Sequence, residues 1–320
     1  YLRNTTVTIS GGVVSTIAAD TAMNAVTTFT VSGGSQLNFS GSSHNSYGAT
    51  GGVSKEGDGP MIISGPASFT GASTVLAGTL VYTNAFAASA HTIASRAVLE
   101  LHFAAYRDSG TTSFSGVGTL RKTGAGTIEW GAGAVTFSLG AGALIDIQEG
   151  VFTGGSYANE NWTTNLSDLN VAAGAVFNGV EANVRVNRLS GTGTIKSGYG
   201  GAGYQALTFG VDNGSGAFDG LIVDSQSAAN IVKEGTGTIV FLGANTYTGS
   251  TLVSAGTLQV GDGGLIGTLG SGAVTISAGA TLEINRGNDF GSAVGQTFSG
   301  AGTLVKTGAG VAVFKGNMSG

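Results

Sequence analysis

The chain contains no cysteine, only two prolines and few charged residues. Without cysteine there can be no disulfide framework, so burial of side chains must supply the stability. No cluster of lysine and arginine exceeds two adjacent residues, which argues against a nucleic-acid or anionic-membrane partner. No apolar run approaches the ~18–20 residues needed to span a bilayer. Charged residues make up 10% of the chain while the mean hydropathy is positive at +0.26, the opposite of a disordered sequence.

Glycine is abundant, with 58 of 320 residues, and it has no G-X-Y period that would indicate collagen. Valine, isoleucine and threonine recur between glycine, serine and asparagine, which is the chemistry of short strands joined by tight turns. We therefore expect an all-β protein with no sizeable helices. The chain starts at Tyr1 and shows no signal peptide, so it is expected to be a mature product or an excised segment.

Internal repeats are the most informative feature of the sequence. Residues 53–81 align without a gap to residues 231–259, at an offset of 178. Further on, FSGVGTLRKTGAG at 114–126 matches FSGAGTLVKTGAG at 298–310. These matches predict a tandem duplication, about 53–130 and 231–314, around a diverged middle section, 131–230.

A finer repeat of Gly-Thr-Leu or Gly-Thr-Ile lies within the large one. Copies at Gly237, Gly256 and Gly302 and a near-copy at Gly279 follow one another at steps of 19, 23 and 23 residues. Short strands of alternating apolar and polar residues, turned by glycine corners once per coil, predict strands stacked in parallel. Leucine, isoleucine, valine and phenylalanine are expected to point inward, and threonine, serine, lysine and glutamine outward.

Together these patterns predict one right-handed parallel β-helix (β-solenoid) over residues 1–320, with roughly 14 coils. A sandwich, barrel or propeller is the alternative. It is disfavoured because Asn-Gly hairpin turns are sporadic, whereas Gly-x-Gly corners recur at one-coil spacing.

The stretch 206–264 resembles the autotransporter-associated β-strand repeat, also called the passenger-associated transport repeat. The similarity centres on KEGTGTIVFLGANTYTG at 233–249 and VSAGTLQV at 253–260. A diverged copy lies at 55–80, and a further one begins at Gly302. The resemblance implies a right-handed β-helical passenger of a secreted or outer-membrane-surface protein from a Gram-negative-type bacterium. It also implies a role in passenger folding and export rather than catalysis.

The segment 154–170 interrupts the repeats with aromatic, acidic and asparagine residues. It reads either as a protruding loop that binds a glycan or protein, or as a segment whose tryptophan folds back over a coil edge. The candidate binding residues are Tyr157, Glu160, Trp162 and Asp168.

Other candidate chemistry is sparse. His91 and His102 lack further ligands at metal-binding spacing. The pairs Asp212 with Asp219, and Asp219 with Asp224, could approach each other across a corner, but no ladder of carboxylates recurs. We expect no catalytic residue, no metal and no cofactor.

Three functions follow from these observations. The first is a non-catalytic structural or adhesive stalk that contacts host or matrix glycans or proteins. The second is an extracellular fibre subunit that stacks end to end with other copies, because solenoid ends expose strand edges unless they are capped. The third and least favoured is a β-helix carbohydrate-active enzyme.

Overall fold

A computed structural model describes residues 2, 5–46, 48–84, 89–105, 111–131, 133–155, 160–200, 203 and 206–319, and the backbone of 107 and 108. Every regular element in these residues is a β-strand. No helix in this part of the chain is long and apolar enough to cross a membrane. The chain divides into two compact units: unit 1 is Tyr1–Phe152 with Thr163–Asn165, and unit 2 is Thr153–Trp162 with Leu166–Gly320.

Strands β1 to β19, in chain order, are Thr6–Ile9, Val14–Ile17, Thr21–Ala22, Thr27–Val31, Gln36–Phe39, Ser43–His44, Val53–Glu56, Met61–Ile63, Ser73–Val75, Thr79–Tyr82, Ala90–Ile93, Val98–His102, Arg107–Asp108, Thr112–Gly116, Thr119–Thr123, Thr127–Glu129, Val135–Leu139, Leu144–Ile147 and Val151–Thr153. Within unit 1, seven described strands form one parallel sheet in the order β1-β4-β7-β9-β11-β14-β17, which we call flank 1. Seven others form a second sheet in the order β2-β5-β8-β10-β12-β15-β18. Shorter strands, β3-β6 and β13-β16-β19, pair in further parallel sheets between these two. The chain visits the sheets in turn, so each pass adds one rung to flank 1 and one to the second sheet.

Strands β20 to β39 are Glu160–Asn161, Asp168–Val171, Val176–Gly179, Val184–Val186, Leu189–Gly191, Thr194–Ser197, Ala206–Phe209, Gly216–Phe218, Leu221–Asp224, Asn230–Lys233, Thr238–Phe241, Thr251–Val253, Thr257–Val260, Val274–Ile276, Thr281–Asn285, Phe290–Gly291, Phe298–Ser299, Thr303–Thr307, Ala312–Val313 and Met318–Ser319. Unit 2 has the same plan. Its sheets run β21-β24-β27-β30-β32-β34-β37, β22-β25-β28 and β23-β26-β29-β31-β33-β36-β39, the last of which we call flank 2. The predicted all-β, parallel β-solenoid fold is confirmed.

Columns of like side chains fill the interior of both units. In unit 1, Leu80 pairs in register with Leu99, which pairs with Leu120, and all three are fully buried. In flank 1 the ring of Phe114 stacks on those of His91 and Phe137, with centroids 5.4 and 5.5 Å apart. Because the strands are parallel and in register, a residue type repeated along the chain contacts its own kind on the next rung.

Lysine side chains were predicted to point outward, but several of them point into the core. Lys233 is fully buried, and its stem lies in register between Phe209 and Val253. Its Nζ donates to the carbonyl oxygens of Glu234 (2.6 Å) and Gly235 (2.9 Å). It also donates to the carbonyl oxygen of Ala255 on the next rung, at 3.2 Å. The ammonium group thus caps the carbonyls of a tight corner while its apolar stem fills the core.

The same arrangement occurs at three corners. The buried residues that make it, called the corner lysines below, are Lys55, Lys122 and Lys233. Burial lowers the pKa of each from 10.5 to about 8, partly offset by nearby carboxylates. Lys306 repeats the motif on an exposed rung, where it donates to the carbonyl oxygens of Thr307 and Gly308. The prediction that lysines point outward is therefore wrong at the corners, because a corner exposes carbonyl groups to the core.

Glycine is required where consecutive corners touch. Gly235 has φ +65°, and a Cβ there would lie 2.1 Å from the carbonyl oxygen of Gly210. Only a residue without a side chain fits that conformation and that contact. Gly11 also has a positive φ, +84°, but a Cβ added at this residue would have no other atom within 4 Å.

Candidate recognition surfaces

The predicted binding loop contains an aromatic residue that is not exposed. Trp162 is 2% exposed, and its Nε1 donates to the carbonyl oxygen of Gly154 at 2.7 Å. Its ring meets that of Phe177 edge-to-face, with centroids 5.9 Å apart. Of the two interpretations drawn from the sequence, the structure agrees with the second: the indole folds back and is buried, and its N–H donates to a backbone acceptor. Tyr157 lies outside the described residues.

The two acidic residues of the same segment are placed apart. Glu160 is half-buried in β20. Asp168 begins β21, and its Oδ1 accepts hydrogen bonds from Asn187 Nδ2 (3.1 Å) and Arg188 N (3.0 Å). Asp168 thereby fixes the corner that follows β23, whereas Trp162 packs beside Gly154. A binding role for this segment stays a prediction.

The histidines do not form a common site. His91 is buried within flank 1, and His102 is exposed on the neighbouring sheet. His102 Nδ1 lies 2.9 Å from Thr123 Oγ1, which donates to Glu100 at 2.7 Å. Among the described residues, no group of three or more histidine, aspartate or glutamate side chains could hold a metal ion.

The acidic residues proposed to meet across a corner are also separated. Asp212 and Asp219 are exposed at opposite ends of β27. Asp224 accepts hydrogen bonds from Ala229 N at 2.9 Å and from Thr248 N and Oγ1 at 3.0 and 2.6 Å. Its carboxylate therefore holds two adjacent corners together.

Flank 1 carries an outward column of hydroxyl groups that runs across its seven strands. The residues pair in register from each rung to the next, and we call them the hydroxyl ladder: Thr6, Thr28, Ser54, Thr74, Thr92, Ser115 and Ser138. All are exposed or half-exposed, and their strand neighbours alternate inward. Thr92 Oγ1 lies 3.1 Å from Ser115 Oγ, and Ser138 Oγ lies 2.8 Å from Thr164 Oγ1.

The surface around the ladder is almost uncharged. In the seven described strands of flank 1, Glu56 is the ionisable residue that faces outward, and it accepts a hydrogen bond from Thr30 at 3.3 Å. Beside the ladder lies a recess of about 360 Å³ that is lined chiefly by hydroxyl-bearing residues. These are Ser89, Thr111, Thr112, Ser113 and Thr136.

The corresponding column of flank 2 is different. The tandem repeat aligns Ser54 with Val232 and Thr74 with Leu252. The flank 2 column reads Arg185, Thr208, Val232, Leu252, Thr275, Ser299 and Ser319. Its arginine forms an ion pair with Glu234 at 2.8 Å. The fold therefore accepts charged and apolar side chains at these positions, so the ladder is a property of flank 1 rather than a requirement of the solenoid.

The hydroxyl ladder was not predicted from the sequence, although the strands contain the pattern that produces it. Strands such as TVTI at 6–9 and TTFTV at 27–31 place a hydroxyl residue at alternate positions. Alternation shows that these side chains share a face. Only the register shows that they form a single column.

Comparison with known proteins identifies the repeats. A family model described as the passenger-associated-transport-repeat matches residues 53–81 and 231–260, which confirms the resemblance drawn from the sequence. Over 191 residues the chain is 31% identical to a curated protein, the adhesin BmaC autotransporter of Brucella suis biovar 1 (strain 1330). That match covers 48% of this chain and 6% of the relative's length. No solved structure matches the chain.

Proposed function

We propose that this chain is a structural and adhesive stalk segment of a secreted or cell-surface, autotransporter-like bacterial protein, and that it does not act as a catalyst. The observation that carries the proposal is that both matches to the passenger repeat fold as stacked rungs with the same corner. Lys55 and Lys233 occupy equivalent positions in the two matches and cap the same set of carbonyls.

The stalk role follows from how such a fold is stabilised. Each rung buries its apolar side chains against its neighbours, so rungs add length without needing a new core. The outward positions are then free to vary, as the two flanks show. The likeness to an adhesin supports an adhesive use of that variable surface. Host or matrix glycans or proteins are the partners that we propose.

Adhesion by the isolated chain tests the proposal. Beads coated with the folded chain should be retained on an extracellular-matrix gel or a host-cell layer above the level of beads coated with an inert protein of similar size. Retention at background on both surfaces would contradict the adhesive role.

Two further measurements test the alternatives. Concentration-dependent filaments in negative-stain micrographs would support an end-to-end fibre instead. Release of products from uronic-acid polymers, abolished by Asp219→Ala, would overturn the non-catalytic assignment.

A further inference from the structure

From the chemistry of flank 1, we infer that the hydroxyl ladder and its adjoining recess form a binding surface for an extended, uncharged polysaccharide that lies across the strands. This inference rests on the adhesive function proposed above and names the class of ligand. Neighbouring strands of a sheet are ~4.8 Å apart, so the seven rungs offer a hydroxyl group at each step along a straight line. A linear polymer of hydroxyl-bearing rings can follow such a line.

Charge distinguishes this ligand from other polymers. A nucleic acid or an anionic polysaccharide would need basic side chains on the surface that it contacts. The outward residues of flank 1 include no lysine or arginine in the seven described strands. Glu56 would repel an anionic chain. An uncharged polymer meets no such penalty, and each hydroxyl group can both donate to it and accept from it.

The outward side chains also argue against a folded protein as the main partner. Protein interfaces are anchored by aromatic, methionine or arginine side chains in a desolvated centre. The aromatic residues of flank 1, such as Phe114 and Phe137, point inward and are fully buried. Within the strands, the outward side chains are mostly short hydroxyl groups at regular spacing, and the exposed apolar residues Leu76 and Val117 lie just beyond the ends of β9 and β14. That surface gains little from burial and much from repeated hydrogen bonds.

The recess adds a place where a sugar hydroxyl could enter. Thr112 Oγ1 donates to the carbonyl oxygen of Ser89 at 2.7 Å. The hydroxyl oxygen of Ser89 is itself buried and has no hydrogen-bonding partner among the described residues. A buried polar atom without a partner is costly unless something binds to it. The recess adjoins the ladder, because Ser113 and Thr136 stand two residues before Ser115 and Ser138 in the same strands.

The test uses the full chain and a matched pair of variants. The ladder variant combines Thr92→Val with Ser115→Ala on flank 1. The control combines Thr275→Val with Ser299→Ala at the aligned positions of flank 2, where the same two hydroxyl groups also lie close together, 3.3 Å apart. Both variants keep side chains suited to a strand surface. Matching circular dichroism and denaturation midpoints will establish that both are folded.

Affinity electrophoresis through gels containing hydroxyethylcellulose measures the binding. We expect the wild-type chain and the control to be retarded to the same extent, and the ladder variant to bind at least about tenfold more weakly because two hydrogen-bonding groups are lost. Retardation should change little with salt, since no charges are involved. Ser89→Ala should weaken binding as well.

Several outcomes would overturn the inference. One is that the wild-type chain migrates unretarded. Another is that the ladder and control variants bind equally well, and a third is that carboxymethylcellulose binds better than the neutral polymer. Light scattering that shows self-association lost only in the ladder variant would assign the ladder to a second copy instead. If the ladder variant still adheres in the bead assay, this inference fails while the adhesive function stands. If wild-type beads do not adhere at all, the adhesive function itself fails.

Discussion

Replacing Lys233 with methionine tests how the corners of the solenoid are held. Methionine has a similar length and fills the same apolar column, but it has no donor for the carbonyl oxygens of Glu234, Gly235 and Ala255. The lysine is fully buried and the residues that carry the three carbonyl groups are half-buried, so water replaces those hydrogen bonds only in part.

The expected cost is the difference between two opposing effects. A fully buried acceptor left without a donor costs ~1–3 kcal/mol, so three half-buried acceptors cost at most roughly 3–9 kcal/mol. Removing the ammonium group also removes its desolvation. That desolvation is reflected in a pKa lowered from 10.5 to about 8, and at ~1.4 kcal/mol per pKa unit it amounts to about 3 kcal/mol. We therefore expect Lys233→Met to lower the free energy of unfolding by about 3 kcal/mol.

Lys306→Met is the matched control, because Lys306 has a similar motif but lies on an exposed rung. We expect it to change the free energy of unfolding by less than about 0.5 kcal/mol. Urea denaturation followed by circular dichroism and tryptophan fluorescence measures both variants. Equal effects of the two substitutions, whether both small or both large, would refute the view that carbonyl capping in the core stabilises the corner.

Three further predictions concern pH, the buried tryptophan and the glycine corners. Because burial lowers the pKa of the corner lysines to about 8, the native chain binds fewer protons than the unfolded chain between pH 8 and about pH 10. The free energy of unfolding should therefore rise across that window. Burial raises the pKa of Tyr82 and Tyr247 in the folded chain. Above about pH 10 these tyrosines therefore ionise in the unfolded chain only, and the free energy of unfolding should fall. Urea titrations at half-unit pH steps check this, and a flat or inverted profile would contradict it. Trp162→Ala should cost ~3–5 kcal/mol, measured by urea denaturation; a surface-like loss below about 1 kcal/mol would place the indole outside the core. Gly235→Ala should cost more than about 2 kcal/mol because of its contact with a carbonyl oxygen, and Gly11→Ala about 1 kcal/mol from its backbone conformation alone. Similar thermal midpoints for these two variants would show that the close contact is unimportant.

The sequence was sufficient to predict the fold because each coil of the solenoid is specified by a short sequence pattern that recurs along the chain. Alternating strands and glycine corners at regular steps specify each rung, and the gapless alignment of 53–81 with 231–259 shows that rungs recur. Both segments fold as predicted, in parallel register. Each rung needs only its neighbours, so local patterns carry most of the information.

The positions of particular side chains were harder to predict. Lys55 and Lys233 are charged residues, yet they point inward because the carbonyl oxygens of a corner accept their hydrogen bonds. The order of residue types along the chain does not show where those carbonyl oxygens lie. Trp162 stands among polar residues, yet its indole reaches a carbonyl oxygen eight residues back in the chain. Both depend on where backbone acceptors lie in three dimensions, which spacing along the chain does not reveal.

The hydroxyl ladder depends on register, which also lies beyond a reading of single strands. A shift of one residue would move Thr92 from the outer face to the core. The loops between rungs differ in length, so the pairing of Thr92 with Ser115 cannot be counted from the sequence alone.

Cross-linking of introduced cysteines tests the stacking of rungs most directly, because the chain has no cysteine of its own. Thr92 and Ser115 are in register on adjacent strands, so their Cα atoms are ~4.8 Å apart, within the range of a disulfide. Thr74 and Ser115 are two rungs apart, at ~10 Å, beyond that range. Under mild oxidation, Thr92→Cys with Ser115→Cys should form an intramolecular disulfide, and Thr74→Cys with Ser115→Cys should not. Equal cross-linking of the two pairs, or cross-linking of the second pair alone, would contradict the parallel, in-register solenoid.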